Sequence, residues 1–260
     1  MTDMQPIIDS HAHIDFPEFD DDRDTLLQQM RSAGIKNVLI PGVSARKWQR
    51  QIEVAKQYDS YYALGIHPWY SESTLITDVE TLRALLARYK NDARLVAIGE
   101  CGLDKLHKGN FTTQLKLFKD QIQVAKEFDL PLIMHAVKAH EEILKCLKTE
   151  NPQRKGVIHG FYGGPQLALQ YVNLGYKLGI GGLLLNDNAP KLQQTVAKLP
   201  LESFVLETDS PAMAPKFSGN NRNTPLILPE IIKKMANLQN KSAVRISEQV
   251  FFNVTQLFDL

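Results

Sequence analysis

Short apolar runs rich in β-branched residues alternate along this chain with longer stretches whose apolar positions recur at helical spacing. The strand-like runs lie near Ile7 to Ile14, Asn37 to Pro41, Tyr61 to His67, Leu95 to Leu103, Leu132 to His135, Gly156 to Phe161, Lys177 to Gly182 and Phe204 to Asp209. Between them, DTLLQQMRSAG, with Gly34 placed to end a helix, and TTQLKLFKDQIQVAKEFD predict amphipathic helices. Strand followed by helix, repeated through 260 residues, predicts the α/β class and a single (β/α)8 TIM-type barrel domain over 1–260. In such a fold the reactive residues sit where strands end and loops begin. A doubly wound open sheet would instead carry a glycine-rich phosphate loop after its first strand, where this chain reads SHAHIDF. The Gly, Asn and Pro content of KFSGNNRNTP, Lys216 to Pro225, predicts a long loop after the eighth strand. Because the helical pattern ILPEIIKKMANLQ resumes at once, no domain boundary is placed there.

Composition narrows the partners. Thirty Lys and Arg against 29 Asp and Glu leave a formal charge of +1, which excludes a basic nucleic-acid-binding tail and strong long-range steering. Cys101 and Cys146 are too few for a disulfide framework, the opening MTDMQPIID lacks secretory features, and no apolar run has the length of a membrane span. A cytoplasmic protein is expected. Both cysteines read as small buried apolar residues, with Cys101 pointing away from the face that Glu100 uses.

The chemistry concentrates at the strand ends. His11, His13, His67, His135 and His159 all fall at or near them, whereas His107 reads as exposed and His140 as a group at a helix start. In His11-Ala12-His13 the spacing of two puts both imidazoles on one face of a strand. Alone, that pattern serves satisfied core histidines as readily as metal ligands. Its company decides: Glu100 closes VAIGE between Gly99 and Gly102, Asp209 closes FVLETD, His135 follows PLIM and His159 follows GVI. Burying such carboxylates is costly unless a cation neutralises them. As a set, four histidines and two carboxylates on strands one, four, five, six and eight suit a two-metal hydrolase. Imidazole and carboxylate ligate Zn2+, Mn2+ and similar ions, and a carboxylate can bridge two of them about 3.5–4 Å apart.

At these residues the chain resembles the TatD family of metal-dependent deoxyribonucleases, within the amidohydrolase-type barrels, and its YjjV-like members above all. The shared motifs are DSHAHIDF (Asp9 to Phe16), GIHP (Gly65 to Pro68), GECGLD (Gly99 to Asp104), PLIMH (Pro131 to His135), HGF (His159 to Phe161) and ETDSP (Glu207 to Pro211). The resemblance implies that His11 and His13 hold one ion with Asp209, that His135 and His159 hold a second, and that Glu100 bridges them. It further implies two divalent ions (Zn, Mn, Mg or Ni), DNA or an oligonucleotide as substrate, no membrane and no obligate protein partner. The activity implied is hydrolysis of phosphodiesters, exonuclease-like on single strands or ends, with Glu100 and Asp209 catalytic and Asp209 orienting the attacking water or accepting its proton. Glu207 is expected behind a ligand histidine, and Asp104 supports the loop after Glu100 or makes a plain turn. His67 contacts substrate phosphate or fixes the loop before Pro68. Arg222 and Asn223 are candidate substrate contacts on a loop over the barrel mouth.

The chain departs from the family where Arg is common two residues after the strand-five histidine. Here Val137 is followed by Lys138, which replaces a bidentate phosphate grip with a point charge. The loop LLLNDNAP also lacks a basic residue until Lys191. The acidic run Asp15 to Asp24 reads as an N-terminal cap for the first helix, and Lys105, Lys108, Lys116 and Lys119 as a basic rim or a solvated helix face. Two other functions share such a barrel: a C–N or lactone hydrolase for a small cyclic substrate, and a metal-binding module without catalysis. A lysine bridging the metals at strand four is common in the former, and Glu100 occupies that place here.

Overall fold

Each of the eight apolar runs forms a parallel strand in a computed structural model, which describes residues 6–74, 76–107, 109–215 and 222–260. Lys108 and residues 216–221 of the expected Lys216–Pro225 loop lie outside the described residues. In chain order the elements are β1 (Ile7–Asp9), α1 (Arg23–Ser32), β2 (Ile35–Ile40), α2 (Trp48–Gln57), β3 (Tyr61–Leu64), α3 (Ile76–Tyr89), β4 (Leu95–Asp104) and α4 (Phe111–Phe128). They continue with β5 (Leu132–Val137), α5 (His140–Glu150), β6 (Gly156–Ile158), α6 (Pro165–Val172), β7 (Lys177–Ile180), α7 (Pro190–Lys198), β8 (Phe204–Leu206), α8 (Leu228–Gln239) and α9 (Ala243–Phe258).

The strands differ from the predicted runs mainly at their C-terminal ends. β1, β3, β6, β7 and β8 end short of the predicted runs, at Asp9, Leu64, Ile158, Ile180 and Leu206, so His11, His13, His67, His159 and Asp209 lie beyond the strands. β4 and β5 run on to Asp104 and Val137 because their residues keep pairing, Gly102 with His135 and Asp104 with Val137.

The chain divides into two compact units, Met1–Leu39 with Gly160–Leu260, and Ile40–His159. In the first, β7 pairs with β8 and β1 with β2, and β8 lies beside β1: Ser10 N donates to Leu206 O at 2.9 Å and His13 N to Ser210 O at 2.7 Å. Ile35, Val38, Leu178, Ile180 and Val205 are sealed from solvent there. In the second, β3, β4, β5 and β6 pair in sequence around Tyr62, Leu64, Ile98, Ile133 and Met134, all buried.

Helices reach the strand ends through buried amides. Gln114 and Gln121, two turns apart on α4, each clamp one residue of the second unit through both backbone groups. Gln114 takes Asp104 N and donates to Asp104 O, and Gln121 does the same to Ile66. On α2, Trp48 donates to Gly65 O at 2.9 Å and Gln51 to Ile40 O and Ala63 O. In the first unit, Asn253 of α9 donates to Leu201 O and Phe204 O, pinning the start of β8. A buried polar group persists only with partners, so these contacts fix where the loops leave the strands.

The acidic run before α1 does not cap as predicted. Asp22 occupies the N-cap position without a side-chain capping bond, because its carboxylate pairs with Arg222. Arg23 is buried and donates to Ile14 O and to the Asp20 carboxylate.

Asp92, before β4, gives a stability prediction. Burial would raise its pKa, but hydrogen bonds from Arg94 and from Tyr62 outweigh burial and hold it below the usual carboxylate range. A depressed folded pKa contributes stability above the unfolded value near 4 that is lost as pH falls through the folded value. Asp92→Asn is expected to cost about 1 kcal/mol at neutral pH. In urea unfolding series the gap to wild type should close on acidification; a gap independent of pH would contradict it.

Candidate metal centre

In the first unit, β1 and β8 deliver two imidazoles and a carboxylate to one place. His11 and His13 lie past the end of β1, not within a strand, and an isolated parallel bridge from Ala12 to Ser210 keeps that stretch against the β8 loop. Asp209 has a left-handed backbone, φ 56°, a conformation that Asp tolerates better than most residues. Its N donates to His11 O at 2.8 Å, and its Oδ1 lies 3.4 Å from His11 Nε2 and 3.5 Å from His13 Nε2. One ligand atom from each of the three falls within 4.8 Å of the others. His13 stacks on Phe16 and His11 is fully buried.

Two further buried carboxylates sit behind this trio. Asp9 accepts from His11 N, Thr208 N and Thr208 Oγ1, the last at 2.6 Å, which ties β1 to the β8 loop. Burial pushes its pKa up to about 7 against those bonds. Glu207 accepts the Gly160 amide, and burial pushes it up to about 8, opposed by the field of His11. It fits because β7 carries Gly179, where a β-carbon would overlap the Glu207 carboxylate.

In the second unit, Glu100 Oε1 is the meeting point of three histidines: His159 Nε2 at 2.6 Å, His135 Nδ1 at 3.1 Å and His67 Nε2 at 3.2 Å. Glu100 is 2% exposed and its N donates to Gly42 O. The tautomers follow from the outer partners. His67 Nδ1 accepts the Trp69 amide at 3.2 Å, so the neutral ring carries its proton on Nε2 and donates to Glu100. His135 Nε2 faces Asp104 Oδ2 at 3.1 Å and its Nδ1 faces Glu100 Oε1 at 3.1 Å, so the ring donates to a carboxylate at each nitrogen, and Nδ1, which also lies 3.2 Å from His159 Nε2, is the one whose proton a metal would displace.

Asp104 is therefore more than a turn residue. It takes the Trp69 indole N–H at 2.7 Å and the Leu106 amide at 2.8 Å as well as His135. Burial would raise it, but these bonds outweigh burial and hold it well below the carboxylate range. Burial alone would lower His135, but Asp104 and Glu100 bring it to about 9. An imidazole held this firmly as a cation sits where a divalent ion can take the place of its proton. Borderline nitrogen donors combined with carboxylate oxygens suit Zn, Mn or Ni chemistry, so both donor sets fit a divalent metal.

A family model described as TatD related DNase matches residues 8–259. The chain belongs to the TatD family. The chain is 35% identical over 255 residues to the uncharacterized metal-dependent hydrolase YjjV of Escherichia coli K12, covering 97% of this chain and 98% of that protein. It is 30% identical to a protein named 3'-5' ssDNA/RNA exonuclease TatD from Erwinia tasmaniensis, covering 98% of this chain and all of the relative. The crystal structure of the E. coli TatD homologue YjjV superposes with a TM-score of 0.92 at 36% identity over 98% of both chains. The fold class is thus the (β/α)8 barrel, and this TatD protein is a metal-dependent hydrolase. Among the described residues no helix is long and apolar enough to cross a membrane.

The remaining candidates are placed as follows. Lys138 is exposed at the end of β5, with a left-handed backbone. Arg222 grips the Asp22 carboxylate with both terminal nitrogens, donates to Glu18 O and lies 4.9 Å over the Phe19 ring. Asn223 is buried and donates to Thr208 O, stapling the β8 loop. Lys105 pairs with Glu142 and Lys116 with Asp120, as on a solvated face. Cys101 is buried with its thiol toward Ile133 O, and burial pushes its pKa up. Sequence reasoning passed over Asp9 and Trp69. DSHAH signalled Asp9, a carboxylate ending an apolar run, whereas nothing local signals that Trp69 reaches Asp104.

The contact between Asp104 and His135 carries a prediction. Asp104→Asn can present its amide N–H2 to His135 Nε2 and reverse the tautomer, placing a proton on Nδ1. Metal affinity of the second unit's donor set is expected to fall roughly 10–100-fold, read by competition with a chelating indicator. Unchanged affinity would show that Asp104 serves only the loop.

Proposed function

We propose that this TatD protein hydrolyses phosphodiester bonds of DNA or oligonucleotides, working as an exonuclease on single strands or strand ends, with two divalent ions. His11, His13 and Asp209 would hold one ion, and Glu100, His135 and His159 the other. The observation that carries the reading is the pair of donor sets, each combining imidazole with a carboxylate in the C-terminal halves of strands or just past them. The exonuclease name of the Erwinia relative supports the substrate class. When bound, divalent ions supply Lewis-acid polarisation of the phosphoryl oxygen and make water a nucleophile near neutral pH.

The chain's own groups do the rest. Asp209 is the most accessible of the first trio, its side chain 16% exposed, so its carboxylate can orient the attacking water and accept its proton. His67, protonated on Nε2, holds Glu100 in place rather than meeting phosphate. Lys138, exposed after β5, is the candidate phosphate contact where Val137 replaces the family's arginine. A nearly neutral surface is no obstacle, because concentrated charge at the scissile phosphate comes with the ions.

The test is metal analysis of the purified protein combined with digestion of an end-labelled single-stranded oligonucleotide, beside a panel of cyclic amides and lactones. Bound metal with stepwise shortening from one end supports the reading. Turnover of the cyclic substrates alone would replace it with the C–N or lactone hydrolase reading.

A further inference from the structure

We infer that Trp69 is a stacking platform for an unpaired nucleobase of the substrate strand, set beside the second unit's donor set. The inference rests on the phosphodiesterase reading and adds what holds the strand. Of the two tryptophans, Trp48 is buried at 1% exposure, whereas Trp69 is 56% exposed. Exposed as it is, this indole is anchored by its N–H edge. Its N–H donates to Asp104 Oδ2, the carboxylate that bonds His135, and its ring stands roughly perpendicular to those of His67 and His135, with centroids 4.9 and 6.3 Å away.

The backbone beneath it is equally constrained. Trp69 lies in the short 3-10 turn Pro68–Tyr70, opened by Pro68 and capped by His67 Nδ1, with Tyr70 N donating to His67 O. The ring therefore meets a ligand already ordered, which removes most of the entropic cost of stacking. His107 lies stacked alongside, 6.0 Å between centroids and 20° between planes, so a second flat ring already accepts the same orientation.

The chemical class follows from the surface offered. The indole face is apolar and uncharged, and the contacts that fix its edge run to Asp104, an anion that would repel a phosphate placed on it. A flat heterocycle suits that face, and a phosphate does not. Stacking on an aromatic face is tolerant of base identity but requires the base to be out of a helix. Trp69 thus selects single strands and frayed ends through ring contact, which suits a chain of formal charge +1.

The experiment uses the metal-loaded protein and two single-stranded oligonucleotides of equal length with uncleavable phosphorothioate linkages, one normal and one abasic, plus a blunt duplex. Tryptophan fluorescence should be quenched by the normal strand and not by the abasic strand or the duplex. In cleavage of unmodified strands, Trp69→Leu should raise KM for the base-bearing substrate roughly tenfold or more, toward the wild-type value for the abasic one. Trp69→Phe, which keeps a ring face and drops the N–H, should recover most of that KM. Equal quenching by all three probes, or a Leu variant that still separates normal from abasic strands, overturns the platform. Base-dependent quenching without any cleavage would uphold it while sinking the nuclease reading.

Discussion

Glu100→Ala is expected to lose metal from the second unit's donor set and at least about 100-fold in phosphodiester hydrolysis. Oε1 has three histidine nitrogens within 3.2 Å and almost no solvent, so its charge is the one those three rings meet directly. Removing partners of metal ligands costs roughly 10–100-fold, and removing a ligand costs more. The alanine also leaves a cavity and three imidazoles without their acceptor, which lowers stability independently of metal. Glu100→Gln separates the two effects, since it keeps the volume and an acceptor oxygen but not the charge. Metal equivalents per chain, circular dichroism and digestion of an end-labelled strand read the outcome. A folded Gln variant with full metal and full rate would remove Glu100 from the chemistry.

Gly102→Ala is expected to destabilise the protein by about 3 kcal/mol or more. Gly102 has φ +130°, a region that side-chain-bearing residues rarely adopt, and it pairs with His135 where a β-carbon would overlap the His135 backbone. Relief requires β4 and β5 to separate, which also moves Glu100 away from His135. Gly34→Ala is the internal comparison. Its φ is +81° but a β-carbon there meets open space, so only the conformational penalty of about 1 kcal/mol applies. Urea midpoints of both variants, measured without metal, give the difference. Equal losses would show that strand contact at Gly102 contributes nothing.

Much of the site was readable because its residues end apolar runs. His11, His13, Glu100, His135, His159 and Asp209 are each polar residues where a strand's hydrophobic pattern stops, and the structure gathers them into two donor sets. The contacts that set their protons were not readable. Asp104 and His135 are far apart in the chain and meet because β4 and β5 run past their predicted ends in register. The intramolecular partners of Asn223 and Arg222 were not readable either, because a polar loop residue carries no local sign of them. Tertiary packing gave Asn223 to the Thr208 carbonyl and Arg222 to Asp22.

By itself the sequence determined the alternation of strand and helix, because apolar periodicity is a local property that survives without knowledge of neighbours. It also determined the family, because the motifs are contiguous, and it pointed to the candidate ligand residues within them. Only the tertiary structure decided which nitrogen of each histidine faces the donor set. It also brought Asp104 to His135 and the exposed Trp69 to Asp104. Those outcomes depend on groups brought within hydrogen-bond reach by strand register and buried amide clamps, and distance along the chain carries no information about them.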